Sequence, residues 1–322
     1  MKLRISAASL PRYATVLVCV ALYVAAAVRF ENFASLQVFV NFLADNAFLG
    51  IAAIGMTFVI LSGGIDLSVG SVIALVSVGM AVLIEKHGWH PLPAGLTMLG
   101  AGVIFGGLMG VVIEVFKLPP FLVTLAGMFM GRGLAYVISL ESISISHAWY
   151  RALLDISIPL GGSATITLVP LVYLGAVVAG VLVARYTVFG RNIYAVGGNR
   201  DAAVLLGIPV GRTVVGVYAL SGLCSALAGI VYTMYSFSGT ASTAVALELD
   251  AIAAAVIGGT LLTGGIGGVF GTFVGVLIFG IIQTAIQFEG TLNSWWTKIA
   301  IAGLLLLFIV LQRVIEGNRQ PA

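Results

Sequence analysis

Charged residues are scarce in this chain. Only 8% of its 322 residues are Asp, Glu, Lys or Arg, whereas 60% are hydrophobic. A soluble domain usually carries about 25% charged residues, and a soluble fold of this size has no means of hiding so much apolar surface from water. With a mean hydropathy of +1.15, the composition excludes a soluble globular protein and predicts an all-α integral membrane protein with several spans.

Motifs for metal, disulfide or nucleic-acid chemistry are also missing. The positive charges are scattered singly between apolar segments, without the basic stripe and interleaved aromatics typical of nucleic-acid binding. The only two cysteines, Cys19 and Cys224, lie in apolar runs and are expected to be small buried hydrophobes. The three histidines lack metal-ligand spacing. We therefore expect no metal, no cofactor and no nucleic-acid partner.

Catalytic motifs are absent too. The dipeptide Gly-Lys does not occur, so the chain has no Walker A phosphate-binding loop. Neither a Ser/His/Asp set nor HExxH is found. We therefore expect no catalytic residue: the chain is predicted not to be an enzyme and not to hydrolyse ATP itself.

What the chain does have is a series of long apolar segments. A helix needs about 20 apolar residues to cross the hydrocarbon core, and ten segments are candidates. The first resembles a signal peptide, but because many spans follow it we expect an uncleaved helix. The eighth and tenth are short, so they either recruit flanking residues or belong to broken helices. The ten predicted spans are 14–28, 47–61, 69–84, 92–115, 121–138, 168–184, 214–235, 252–262, 269–288 and 299–311.

The distribution of Lys and Arg predicts the orientation. One set of loops and tails holds ten of these residues and the opposite set four, with Arg132 left out because it lies within a span. Cytoplasmic loops carry the positive excess, so both termini are predicted to be cytoplasmic. Only two connections are long, an outer loop at about 139–167 and an inner loop at about 185–213. The chain, 1–322, is therefore predicted to be a single transmembrane domain.

A weak internal repeat is visible. GIDLSVGSVIAL at 64–75 resembles ELDAIAAAVIGG at 248–259, and FGGLMGVVI at 105–113 resembles FGTFVGVLI at 270–278. In the predicted topology the two aspartate-headed helices run in opposite directions, so the repeat is inverted. Inverted repeats with interrupted helices are a common transporter architecture.

The stretch SGGIDLSVGS, at 62–71, puts a carboxylate between two very apolar segments. Gly63 and Gly64 permit the unusual dihedrals of a helix break. Asp66 or Ser68 is expected to cap the following helix by accepting hydrogen bonds from its first amides. Direct contact between Asp66 and a substrate is the alternative.

Other polar residues lie within or beside spans. Arg132 is the most isolated charge and should face the bundle interior or water, either as a donor to substrate hydroxyls or in a buried ion pair. Asp45, Asn46, Gln283 and Gln287 are expected to hydrogen-bond between helices by default, and lining of a pathway is the alternative. The inner loop is different: Asn199 is expected to cap a short helix over 200–206 that docks on a cytoplasmic partner, and a solvated loop is the alternative.

Two strings resemble a known family. FLGIAAIGMTFVILSGGIDLSVGS, at 48–71, resembles the ribose-type monosaccharide ABC importer permeases, and FGRNIYAVGGNRDAAVLLGI, at 189–208, resembles their ATPase-coupling region. The resemblance extends from about residue 40 to about residue 312. Within the family, KLPPFLVTLAGMF at 117–129 and TLNSWWTKIAIAGLLL at 291–306 look closest to a galactofuranose importer permease.

The resemblance implies a ten-helix permease of the type II ABC importer fold in a bacterial inner membrane. It would import a monosaccharide, galactofuranose or a similar sugar, from periplasm to cytoplasm. Its partners would be an ATPase subunit with two nucleotide-binding domains, a periplasmic sugar-binding protein, a second permease chain in a heterodimer, and membrane lipid. The matched motifs do not fix the family's sugar-contacting residues; the candidates for the translocation path, taken from the polar residues of the spans, are Asn46, Thr124 and Arg132. The family's coupling segment corresponds to Phe189, Gly190, Arg191, Asn192, Gly197, Asn199, Ala202 and Gly207.

Three other functions remain open on the sequence. A permease of another ABC importer, such as one for branched-chain amino acids, shares the broad fold but agrees less well with the motifs. A stand-alone secondary transporter would need more intramembrane carboxylates or a clear ion site. A membrane-embedded enzyme such as a sugar-lipid transferase would need catalytic carboxylates at the membrane edge, and none is found.

Overall fold

The apolar segments become helices wherever the sequence predicts a span. The computed structural model describes residues 10–161, 164–293 and 295–317, and in these stretches the chain forms fourteen α-helices. They are α1 (Leu10–Arg29), α2 (Leu36–Asp45), α3 (Ala47–Leu61), α4 (Val69–Ala81, continued as a π-helix over Val82–Lys86), α5 (Pro91–Phe116), α6 (Pro120–Ile138), α7 (Ala148–Leu154), α8 (Leu168–Tyr186), α9 (Val188–Gly198), α10 (Arg200–Leu205), α11 (Val210–Ser236), α12 (Leu247–Ile257), α13 (Val269–Glu289) and α14 (Trp295–Gly317).

Each of the ten predicted spans overlaps one of these helices. Six helices in the described residues are long and apolar enough to cross a membrane: α4 with its π-helical end, α5, α6, α8, α11 and α13. Helices α2 and α3 pass the same test together, with a bend of 57° between them, and count as a seventh. The apolar parts of α1 and α14 are shorter. The helical membrane fold is therefore confirmed, and the number ten stays a prediction.

The bounds predicted for the eighth span are wrong. The sequence predicts a helix over 252–262, whereas α12 begins at Leu247 and ends at Ile257. Residues 258–268 then leave the helix, because Gly259, Gly264 and Gly265 adopt positive φ angles of 88°, 87° and 71°, which glycine reaches without steric cost. Hydropathy does not report this backbone geometry.

Helix α2 is an element that the sequence reading missed. Ser35 begins it, and its hydroxyl accepts a hydrogen bond from the amide of Val38 at 3.3 Å, as a helix-capping serine does. The polar residues Gln37, Asn41 and Asp45 interrupt its hydropathy. The segment is therefore too polar on average to look like a span.

Helix α3 is the centre of the bundle. Fourteen of its fifteen residues are buried, and it contacts α8, α11, α12 and α13. A helix that is hydrophobic all round is one that lies inside a protein. The buried apolar cluster around it extends from Leu43 to Phe308.

Helices α5 and α11 pack closely through small residues. Gly106 of α5 lies against the backbone of Tyr218 in α11, and Gly222 of α11 lies against the backbone of Gly102 in α5. A Cβ atom at Gly106 or Gly222 would overlap a carbonyl oxygen of the other helix. Small residues of this kind let helix backbones approach in lipid, where van der Waals packing drives association.

The predicted outer loop at 139–167 is folded onto the bundle. Its first strand, β1 (Ile143–Ser144), pairs antiparallel with β4 (Ser238–Gly239). Its other two strands, β2 (Ser157–Gly161) and β3 (Ala164–Thr167), form an antiparallel hairpin. Between β1 and β2, helix α7 buries Tyr150, whose hydroxyl hydrogen-bonds with that of Thr233 in α11.

The chain ends were the basis of part of the topology prediction. Residues 1–9 and 318–322, with Lys2, Arg4 and Arg319, lie outside the described residues. The cytoplasmic position of both termini therefore stays a prediction, as do the inverted direction of the repeat and the single domain over 1–322.

Candidate functional site

The chain turns sharply after α3, and a buried carboxylate stabilises the turn. Gly63 has a positive φ of 83°. One oxygen of Asp66 accepts hydrogen bonds from the amide of Ser68 at 2.9 Å and from its hydroxyl at 2.7 Å. The other accepts a bond from the hydroxyl of Ser221 in α11 at 2.7 Å. Because buried polar groups must be hydrogen-bonded to be tolerated, these three donors explain how Asp66 can be 1% exposed.

This geometry corrects part of the capping prediction. Ser68 occupies the position before α4, but its side chain accepts no amide of the helix. Its hydroxyl donates to Asp66 instead. Asp66 does accept an amide next to the start of the helix, and because it is buried and hydrogen-bonded through both oxygens it is not accessible to a substrate in this conformation.

The two interruptions of the bundle meet at one point. We define the break junction as residues 61–65, 197–198 and 258–267, which comprise the turn after α3, the end of α9 and the chain after α12. The amide of Gly265 donates to the carbonyl of Leu61 at 2.9 Å. A Cβ at Gly197 would overlap both of these groups, and Gly264 lies against Gly63. The inner loop therefore touches both helix breaks through backbone atoms.

The predicted short helix of the inner loop is present as α10. The side-chain oxygen of Asn199 accepts a hydrogen bond from the amide of Ala202 at 2.9 Å, which is the expected cap. Gly207 follows the helix with a positive φ of 73°. In α9, Gly190 packs on the backbone at the end of α8, whereas Arg191 is exposed.

The remaining members of the predicted coupling segment also have defined places. Phe189 lies against Gly216 of α11, and Asn192 is half-buried in α9. The predicted segment thus forms the α9–α10 unit, part of which reaches the break junction through Gly197.

Helix α10 presents apolar side chains on its open side. Val204 and Leu205 are 57% and 88% exposed, and Leu206, directly after the helix, is 78% exposed. At its start, the Arg200 guanidinium lies 2.6 Å from the carboxylate of Glu114 at the end of α5. The start of the helix is therefore held by an ion pair to α5, and its end exposes an apolar surface.

Arg132 fastens a different segment, the chain that leads into α12. One guanidinium nitrogen donates to the carbonyls of Ala241, at 2.6 Å, and Thr243, and the other donates to that of Ala244 at 3.3 Å. No carboxylate lies within ion-pair distance of Arg132 among the described residues. The sequence left open a substrate contact or an ion pair, and the structure shows backbone carbonyls as the partners.

The three residues predicted for a translocation path do not lie together. The Thr124 hydroxyl donates to the carbonyl of Pro120 at 3.0 Å and approaches that of Ile65 at 3.3 Å, beside the turn after α3. Arg132 lies at the segment before α12. Only Asn46, at the bend between α2 and α3, lines a cavity with other polar side chains.

That cavity, which we call the polar cavity, lies between the α2–α3 bend, α12, α13 and α14. Its volume is about 320 Å³, and it has apolar walls that include Phe48 and Phe279. The carboxylate of Asp250 and the ammonium of Lys298 form an ion pair at its edge. The polar residues that line it are Asp45, Asn46, Asp250, Gln283, Gln287, Thr297 and Lys298.

The sequence reading missed three of these residues, Asp250, Thr297 and Lys298. The available signal was a lone aspartate heading a small-residue helix and a lysine beside two tryptophans. Within the described residues, no three His, Cys, Asp or Glu side chains are grouped so as to hold a metal ion. The arrangement is suited to hydrogen bonding.

Known proteins that resemble this chain are also membrane permeases. Residues 38–310 match the family model described as branched-chain amino acid transport system / permease component. The chain is 50% identical to the inner membrane ABC transporter permease protein YjfF of Escherichia coli, over 98% of this chain and 96% of that one. It is 38% identical to the ribose import permease protein RbsC of Bacillus subtilis, over 84% and 83%.

A third relative is the fructose import permease protein FruG of Bifidobacterium longum, which is 35% identical over 95% of this chain and 91% of that one. No solved structure matches the chain significantly. The family model covers most of the chain and the relatives are aligned almost end to end. The protein therefore belongs to the family of membrane permease components of transport systems, and it is a transport subunit rather than an enzyme.

Proposed function

We propose that the chain is the transmembrane permease subunit of a bacterial ABC importer that moves a monosaccharide from the periplasm to the cytoplasm. Relatives named as ribose and fructose import permeases support the substrate class. The structural observation that carries the proposal is the α9–α10 unit, because it joins an exposed apolar surface to both helix breaks. A transport subunit without a Walker A motif needs a surface on which a separate ATPase can dock and through which the conformational change of that ATPase can reach the helices.

In this mechanism the ATPase binds Leu205, the last residue of α10, and Leu206, which follows the helix directly; both are highly exposed. An apolar helix face that enters a groove is a common recognition mode. When α10 moves, α9 moves with it, and the backbone of Gly197 in α9 presses on the carbonyl of Leu61 and the amide of Gly265. Helices α3 and α12, which end at these breaks, then shift, and the translocation path opens to the opposite side of the membrane.

The partners follow from the same assignment. A separate ATPase with two nucleotide-binding domains docks on the α9–α10 unit. A periplasmic sugar-binding protein docks on the outer loop at 139–167 and on 237–248. A second permease chain completes the pore as a heterodimer, and both termini lie in the cytoplasm of a cell whose inner membrane holds the complex.

We further propose galactofuranose as the sugar, on the resemblance of 117–129 and 291–306 to galactofuranose importer permeases. The family description supports a branched-chain amino acid as the other candidate cargo. Full-length relatives named for ribose, fructose and L-arabinose favour a sugar.

The test is to purify the chain with its native ATPase and second permease, reconstitute them in proteoliposomes and add the binding protein. ATP hydrolysis is measured with galactofuranose, D-ribose, D-fructose, L-arabinose or L-leucine. Stimulation by one sugar but not by leucine is expected. Leu205→Asp should abolish the stimulation, whereas Leu205→Met, which keeps the apolar surface, should preserve it. Stimulation by leucine alone would refute the sugar, and full stimulation in Leu205→Asp would refute the docking role of α10.

A further inference from the structure

The polar cavity has unused hydrogen-bonding groups. The side-chain nitrogen of Asn46 donates to the carbonyl of Phe42 at 3.0 Å, and its oxygen has no bond in the described residues. Gln283 and Gln287 lie one turn apart on α13 and both line the cavity. In the part of the chain that the structure describes, neither glutamine makes a side-chain hydrogen bond. The Asn46 side chain is buried, that of Gln283 is half-buried and that of Gln287 is exposed. Their free amide groups are therefore open to the cavity, where a polar ligand can pair with them.

The chemistry of the lining is that of a polyhydroxylated ligand. Each amide has both donors and acceptors, the Thr297 hydroxyl has both, and the Asp45 carboxylate accepts only. A sugar hydroxyl also donates and accepts, so it can pair with every group in this set. The side chains of Phe48 and Phe279 in the walls offer apolar contact to the carbon atoms of a sugar ring.

Other classes of ligand fit this lining less well. Lys298 is already paired with Asp250, which leaves no free cation for an anionic ligand among the lining residues. A metal ion would need a cluster of ligands that the described residues do not provide. A lipid chain would leave the amides unsatisfied, and it fits far better the wholly apolar groove between α5 and α6, lined by Leu108, Met130 and their neighbours.

We propose that the polar cavity binds one neutral monosaccharide within a single copy of the chain, at Asn46, Gln283 and Gln287. A volume of about 320 Å³ lies at the small end of the range for ligand pockets, as suits one sugar ring. The proposal rests on the proposed function, and it adds a site that belongs to one permease chain alone.

Protection of a cysteine from labelling tests this site. Gln287→Cys is introduced into the full-length chain together with Cys19→Ser and Cys224→Ala, and the protein is placed in lipid nanodiscs. The rate of modification by a small methanethiosulfonate is measured with galactofuranose, D-ribose, D-fructose, L-arabinose or L-leucine. A sugar at four times its Kd leaves one-fifth of the sites free, so labelling should slow about fivefold.

Two further variants make the result specific. Glu141→Cys, on the exposed outer loop, should be labelled at the same rate with and without sugar. Gln283→Leu, combined with Gln287→Cys, should remove the protection. Equal protection by leucine, or labelling that no sugar slows, would overturn the assignment of the cavity.

The two proposals fail in different ways. If a sugar stimulates ATP hydrolysis by the reconstituted complex but none protects Gln287→Cys, the importer stands and the cavity assignment falls. If a sugar protects Gln287→Cys while no sugar stimulates ATP hydrolysis, the cavity stands and the importer assignment falls.

Discussion

Gly222 is a position where a single methyl group should disturb the packing of the bundle. It lies where α11 meets α5, and a Cβ there would approach the carbonyl oxygen of Gly102 to well within 3.0 Å, a distance that real Cβ atoms essentially never show. The neighbour is backbone and has no rotamer with which to move aside. Gly222→Ala therefore requires the two helices to separate by about 1 Å.

The cost follows from what this separation disrupts. Helices α5 and α11 make the most extensive helix–helix contact in the described structure, and a methyl group forced into a packed contact costs about 1–3 kcal/mol. The substitution also gains up to about 1 kcal/mol of helix propensity. A control that gains the same propensity without the clash is therefore needed.

Gly100→Ala is that control. Gly100 lies in α5, the helix that packs against Gly222, and a Cβ at this position meets nothing within 4 Å. The free energy of unfolding is measured by equilibrium titration with dodecyl sulfate in mixed micelles. We expect Gly222→Ala to be about 1–3 kcal/mol less stable than Gly100→Ala. Equal stability of the two variants would refute the close approach of α5 and α11.

Two further predictions concern the inner loop and the segment before α12. Gly197→Ala should lower sugar uptake per molecule in the membrane, because its methyl group would overlap the carbonyl of Leu61. In the control Gly198→Ala the added methyl group meets nothing within 4 Å, so this variant should transport normally. Equal uptake by the two variants would contradict a role for the contact between Gly197 and Leu61. Arg132→Ala should lower the free energy of unfolding by about 2–3 kcal/mol, since bonds from a charged donor to Ala241 and Thr243 are lost. In the same titration Arg132→Lys should be intermediate, and an unchanged midpoint for Arg132→Ala would exclude the fastening role.

The sequence predicts best those features that are encoded locally. The bounds predicted for α3, 47–61, are those observed, because a long apolar run ends at a pair of glycines. Helix α10 was predicted within one residue of its end, since Asn199 is a strong cap and Gly207 a strong stop. In both cases a short stretch of chain contains the whole signal.

Features that depend on distant segments were not predictable in this way. The partners of Arg132 are backbone carbonyls, which every residue possesses and no sequence pattern marks. The polar cavity combines residues from the α2–α3 bend, α12, α13 and α14. Asp250 and Lys298 therefore come together at its edge only in the folded bundle, and their sequence positions alone do not predict this. The early end of α12 depends on glycine dihedrals that hydropathy does not report.

The contact at Gly197 also has a mechanical consequence. Side chains between two moving elements act as soft springs, because they change rotamer and absorb small displacements. Between the inner loop and the two helix breaks there is no side chain at this point, only the backbone of Gly197 against Leu61 and Gly265. We therefore expect a stiff joint here, through which a small displacement of α9 would reach α3 and the chain after α12 with little loss.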